Sequence, residues 1–225
     1  MLITNTEAYK TAARYITCTL KIGNQDYSKY IVDFTKEYAA PKGKFFGFLL
    51  PQTLKLKLRG NTENVSKDQR LDITLAVGST KVYLPWFYIT ECSYDRNQDI
   101  TNIVALDRLG YLGNKKATGL TTSNVALNDI LLQICSLLGM VKKNDIPTAF
   151  NYAVTSLNVD GNETYNQYLT EIAEVTGCIG YISQNNEFKF KQLENTTVDT
   201  LTTSDYFEFS RGTAVTCRCV TSATE

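Results

Sequence analysis

The sequence predicts an α+β protein that is mainly β: an antiparallel β-barrel carrying a small α+β insert of two helices and a hairpin. Three observations predict it. Strand-favouring runs separated by turn residues fill the first half of the chain. Two later stretches repeat their apolar residues at helical spacing. After the second of these, the pattern switches back to period two within a few residues.

In the first half, ARYITCTLKIG, DYSKYIVDFTKEY, FGFLLPQTLKLKLRG, RLDITLAVG, TKVYLPWFYITECSY and QDITNIVALDRLG follow one another, with turn chemistry at Gly78 and Ser79 and at Asn97 and Gln98. No helical pattern interrupts them. Successive strands of this kind pair antiparallel and close into a barrel or sandwich, because a single open sheet leaves an edge and an unburied face. Within LKLKLRG, Leu54, Leu56 and Leu58 face one way and Lys55, Lys57 and Arg59 the other. The leucines are core candidates. The basic stripe reads as a solvated or edge-protecting face, with a partner-binding or channel-lining face as its functional alternative.

From about Gly110 the character changes. YLGNKKATGLTTSN is a connector that leads to Ser123, the expected N-cap of a helix whose apolar stripe is Leu127, Ile130, Leu131, Ile134, Leu137 and Leu138. The polar face of this helix lacks the Lys/Arg enrichment of a membrane-surface helix, so the stripe is assigned to a domain core. The strand-like FNYAVTSLNV follows. Tyr165, Tyr168, Leu169, Ile172, Ala173 and Thr176 then line one face of a second helix, with Thr164 and Gln167 as a capping box and Gly177 as a left-handed stop. CIGYIS and EFKFKQL form a hairpin around Gln184, Asn185 and Asn186, and Phe188 and Phe190 alternate with Lys189 and Lys191. The expected organisation is a barrel over 1–112, the α+β part over 113–200, and a β segment over 201–225 that pairs back or begins a second β domain.

The 23 basic and 23 acidic residues cancel, so the charge balance does not point to nucleic acid or an anionic membrane. A hydrophobic fraction of 43% over 225 residues supports a real core. The first residues carry no signal-peptide core, and no run is long enough to span a bilayer; the expectation is a soluble product of the cytoplasm. Cys18, Cys92, Cys135, Cys178, Cys217 and Cys219 lie among apolar neighbours without a CxxC pair, as reduced, buried thiols do.

The chain contains no histidine, which excludes Ser-His-Asp and Cys-His nucleophilic sites and HExxH zinc sites built from its own residues. It also lacks GxGxxG and GxxxxGK[ST] loops. No catalytic, metal or cofactor site is therefore expected. A carboxylate-based glycosidase would have Glu163, Glu171, Glu174 and Glu187 to draw on, but Glu171 and Glu174 fall on the wet helix face. A carbohydrate-binding β module is a further alternative, given 14 tyrosines and 10 phenylalanines. Trp86, after Pro85 in an apolar strand, reads as core packing or a subunit contact rather than a sugar platform.

The order of elements resembles the hub family of phage tail tips: baseplate hubs of contractile phages and the amino-terminal part of tail-associated proteins of long-tailed phages. LPWFYITECSYDRNQDITNIVALDRLGYL, from Leu84 to Leu112, is similar to the family segment in which a charged hairpin is followed by an apolar strand ending in Asp with a following Leu. DILLQICSLLGM is similar to its ILxxIxxxxG helix, and YLTEIAEVTGCIGYISQNNEFKF to its LxxIAxxxGC helix with a following hairpin. The resemblance runs from about residue 12 to 200. Asn185 and Asn186 stand where relatives often have Asp-Gly, and a second expected departure is a short C-terminal part without the lysin-like domain that relatives can add. The resemblance implies a structural, non-enzymatic component of a phage or prophage tail tip. It would be a homotrimeric hub of tube-like β domains that joins the tail tube or distal tail protein to the spike, fibre or tape-measure protein, assembled in the host cytoplasm and carried in the virion tail. Lys55, Lys57 and Arg59 would then face a neighbouring subunit or the lumen.

Overall fold

The computed structural model describes residues 16–192 apart from 42, 45, 78–79, 143–145, 147–150 and 155–161. The expected turn at Gly78 and Ser79, the segment 201–225, Cys217 and Cys219 lie outside the described residues.

The alternating runs of the first half form strands where the sequence places them. β1 (Ile16–Ile22) turns at Gly23, whose φ of +58° suits glycine, into β2 (Gln25–Asp26). A 3-10 turn over Ser28–Tyr30 leads to β3 (Ile31–Tyr38). β4 (Phe48–Leu50), β5 (Gln52–Arg59), β6 (Arg70–Val77), β7 (Thr80–Tyr83), β8 (Phe87–Asp95) and β9 (Ile100–Asp107) follow. Without β4, they make an eight-stranded sheet with the order β2-β1-β6-β8-β9-β5-β3, β7 lying beside β6. Every pairing in it is antiparallel.

Strand β6 meets two partners on one edge. Thr74 to Val77 pair with β7, whereas only Arg70 and Leu71 pair with β8. The intervening Leu84, Pro85 and Trp86 turn a corner, because proline cannot donate to a ladder. The sheet therefore folds over a single core, in which Leu20, Ile22, Leu71 and Ile73 of one half meet Leu54, Leu56, Leu58, Phe87, Ile89 and Ile103 of the other. Among the described strands the path is open: it ends at β2 and β3, so these strands do not close the expected barrel.

The second half forms α1 (Arg108–Leu112), β10 (Val125–Ala126), α2 (Leu127–Leu137), β11 (Val141–Lys142), β12 (Ala153–Val154), α3 (Tyr165–Thr176), β13 (Cys178–Ile182) and β14 (Glu187–Gln192). Helix α3 matches the sequence closely. Thr164 Oγ1 accepts from Gln167 N–H at 3.3 Å, Gln167 Oε1 accepts from Thr164 N–H at 2.6 Å, and Gly177 closes the helix at φ 63°. Helix α2 starts later than expected, with Ala126 rather than Ser123 at its N-cap. Its last turn rotates Leu137 outward to 50% exposure while Leu138 stays buried. The run QDITNIVALDRLG changes at Asp107 from strand to the short helix α1, which sequence periodicity did not separate.

A four-stranded sheet, ordered β11-β14-β13-β4, lies under these helices. Its fourth strand comes from the first half of the chain. FGFLLPQTLKLKLRG reads as one run, yet Pro51 divides it into β4, parallel to β13, and β5, in the large sheet. Leu49 therefore joins the second core, with Leu109, Leu127, Ile130, Ile134, Leu169, Ile172, Phe188 and Phe190. Both cores lie within one compact unit that spans Met1–Leu193. Among the described residues no helix is long and apolar enough to cross a membrane.

Candidate functional site

The basic stripe stands on the outer face of β5. Leu54, Leu56 and Leu58 are buried beneath it, and Lys55, Lys57 and Arg59 are exposed. Lys55 stands opposite Thr35 on β3 and Val104 on β9, and Lys57 opposite Asp33 and Asn102. Beyond β9, a bulge in β8 after Ile89 sets Glu91 opposite Val104, and Asp95 stands opposite Ile100. This face thus carries a cationic row on β5 and an anionic one on β8, with the half-buried Ile100 and Val104 between them. Lys55 Nζ pairs with Glu37 Oε1 at 2.8 Å, both side chains about half exposed. Such a pair is worth about 0–1 kcal/mol. Among the described residues Lys57 and Arg59 have no ion-pair partner, which leaves their charge for whatever faces the sheet.

A second constellation joins the two cores. The carboxylate of Asp107, fully buried, caps α1 by accepting from Gly110 N–H at 2.8 Å and also accepts from Gln52 N–H at 3.0 Å. Gln52 in turn donates from Nε2 to Ile182 O at 2.7 Å, which links β5 to β13. Burial raises the Asp107 carboxyl to about 7, against the lowering effects of the Gly110 and Gln52 N–H groups and of the Lys36 charge.

Beside it, Arg108 donates from Nη2 to Tyr88 Oη at 2.5 Å and from Nη1 to Gly139 O. Its guanidinium lies 5.6 Å from the centroid of the Trp86 ring, and Arg70 lies 4.5 Å from the same ring. Tyr88 stacks on Tyr111 with centroids 4.9 Å apart, and Tyr111 donates its hydroxyl to Asp68, which pushes the phenol up to about 12. Trp86 N–H donates to Asn186 Oδ1 at the tip of the β13–β14 hairpin. Trp86 is half-buried and outside both apolar cores, so it is not the core packing expected from its position after Pro85; its backbone instead joins the large sheet to the hairpin tip. The sequence reading missed Arg108, Gln52 and Asp107. Asp107 had a signal: Asp at the end of an apolar strand, three residues before Gly110, is N-cap chemistry.

The glutamates considered for glycoside hydrolysis are dispersed in role. Glu174 is held by Lys44 Nζ at 2.5 Å, and Glu187 lies 4.0 Å from Lys189 Nζ. The Glu171 carboxyl is pushed up by burial and by its neighbours Glu163 and Glu174. Cys18, Cys92, Cys135 and Cys178 are free thiols; burial pushes Cys135 up to about 12. Among the described residues no group of three or more His, Cys, Asp or Glu is placed to hold a metal ion.

No protein-family model and no curated protein matches the sequence. Solved structures do match the fold. A 43 kDa tail protein of prophage MuSo2 from Shewanella oneidensis superposes with a TM-score of 0.58 at 14% identity, over 82% of this chain and 55% of that one. Prophage tail protein gp18 from Listeria monocytogenes gives 0.51 at 14% identity, over 78% of this chain and 50% of that one. A chain of the PdpA–VgrG complex from Francisella gives 0.52 at 12% identity, over 84% of this chain and 34% of that one. The chain thus spans about half the length of the prophage tail proteins it matches. The structural neighbours of this mainly β, α+β chain include prophage tail proteins, and it shares their fold.

Proposed function

We propose that this chain is a structural, non-enzymatic component of a phage or prophage tail tip. It acts as a hub subunit that assembles as a homotrimer and joins the tail tube or distal tail protein to the spike, fibre or tape-measure protein. It is assembled in the host cytoplasm and carried in the virion tail. The large antiparallel sheet would supply the tube-like barrel wall, and the α+β part would pack outside it. The observation that carries this reading is the fold likeness to a prophage tail protein over 82% of the chain. The opposed basic and acidic rows on one sheet face add support, because charge complementarity fixes register between subunits.

Light scattering across a concentration series tests it. A mass that rises with concentration toward about three chains is the expected result for a closed ring. A mass of one chain throughout, with no association when a tail-tube protein is added, would sink the hub reading.

A further inference from the structure

The outer face of β1, β6 and β7 carries residues in level rows. Thr19 stands opposite Thr74, which stands opposite Tyr83, and one step along, Lys21 stands opposite Asp72. All point away from the core, since their neighbours Leu20, Ile73 and Val82 are buried. The hairpin tip from Gln184 to Asn186 borders this face, and the bond from Trp86 N–H to Asn186 Oδ1 holds it there. Between sheet face and tip lies an open groove of about 480 Å³, bordered by Tyr83 and Trp86. That volume falls in the roughly 300–1,000 Å³ range of ligand sites.

The chemistry of the groove is polar, aromatic and nearly neutral. Tyr83 is 54% exposed. Among the described residues its hydroxyl has no hydrogen-bond partner, and neither do the side-chain amides of Gln184 and Asn185. Asp72, whose side chain is 29% exposed, binds Arg70 Nη2 through Oδ2 at 2.9 Å, while its Oδ1 is buried and without a partner. Lys21 balances the Asp72 charge across the strand pair. Arg70 and Arg108 lie 4.5 and 5.6 Å from the centroid of the half-buried Trp86 ring, and Tyr83 is the more exposed aromatic side chain of the groove.

An exposed ring beside planar amides and one carboxylate complements a sugar: the ring stacks on its C–H face, the amides donate to and accept from its hydroxyl rim, and the carboxylate accepts from it. An apolar peptide segment would leave the amides of Gln184 and Asn185 desolvated and unpaired.

We propose that this groove is a binding site for a neutral oligosaccharide, with Tyr83 as the stacking platform and Asp72, Gln184 and Asn185 as hydrogen-bonding groups. The site is built from residues of a single chain and does not rest on the hub reading.

The test is calorimetric titration of the full chain with maltotriose, cellotriose and tri-N-acetylchitotriose, together with a glycan array. The expected result is saturable binding of at least one neutral glycan, weakened at least tenfold by Tyr83→Ala and at least threefold by Asn185→Ala. Tyr152→Ala, an exposed tyrosine outside the groove, should change nothing. Asn185 is an exposed turn residue, so its variant keeps the test valid if Tyr83→Ala alters stability. A blank array with flat titrations overturns the proposal. So does glycan binding that both groove variants leave intact. Loss of binding to another tail protein in the same variants, with no glycan bound by the parent chain, would make the groove a protein-docking surface instead.

Discussion

Asp107 and Gln52, 55 residues apart in sequence, are joined by a buried hydrogen bond of 3.0 Å from the Gln52 N–H to Asp107 Oδ2. The bond lies where β5 leaves the small sheet's strand β4 and where β9 gives way to α1. It ties the start of the leucine-rich strand to the cap of the helix that leads into the second core.

Replacing Asp107 with Ala should therefore cost more than an ordinary cap. It removes the α1 cap and leaves the N–H groups of Gln52 and Gly110 unpaired, for a loss of about 2–4 kcal/mol. Urea unfolding checks this; a loss under about 0.5 kcal/mol, the level of a neutral surface change, would show that the bond is not a joint.

The same carboxyl sets a pH dependence with a definite sign. Its folded value, about 7, lies above its ordinary value of 3.8, so the native state holds the proton more tightly than the unfolded chain. Its contribution to stability is greatest below about pH 4 and is lost as pH rises toward 7. The stability difference between the parent chain and Asp107→Asn, followed by urea unfolding from pH 4 to 7.5, should shift against the parent as pH rises. A constant difference would show that Asp107 is ionised throughout.

Arg108→Lys should behave almost as badly as Arg108→Ala. The guanidinium reaches Tyr88 Oη and Gly139 O together while lying against Trp86, a fork that a point-charge ammonium cannot reproduce. A loss of about 1–3 kcal/mol is expected for both. Full retention by Lys would reduce the interaction to simple charge.

Gly180→Ala tests the pairing of β4 with the second sheet. A Cβ at Gly180 would stand 2.6 Å from Leu49 Cδ2 and 3.1 Å from Phe188 Cζ. Overpacking of about 1–3 kcal/mol should loosen β4, seen as faster proteolysis between residues 39 and 47 and faster amide exchange at Leu49 and Leu50. Unchanged exchange there would mean that the site relaxes freely.

Reversal of the basic stripe, as Lys55→Glu, Lys57→Glu and Arg59→Glu together, should lower the melting temperature only modestly: all three are solvent-exposed, but the change sets Glu beside Glu37 and opposite Asp33. Self-association and binding to tail partners should fall if the stripe faces a neighbouring subunit or the lumen. Unaltered assembly and binding would leave it as a solvated face.

The periodicity of the sequence determined most of the local structure. Leu54, Leu56 and Leu58 went to the core because alternate residues of a strand share a face, and α3 began at Thr164 and ended at Gly177 because cap chemistry acts within a few residues. What periodicity cannot carry is the choice of distant partners. The bond from Gln52 to Ile182 spans 130 residues, and nothing near Phe48 says that its strand will pair with Ile179 rather than continue into β5. Only the closing of both cores decided that Pro51 should divide the run, that Asp107 should end its strand as a cap, and that Trp86 should lie beside two arginines. Each depends on which surfaces remain to be buried once the neighbouring strands are in place.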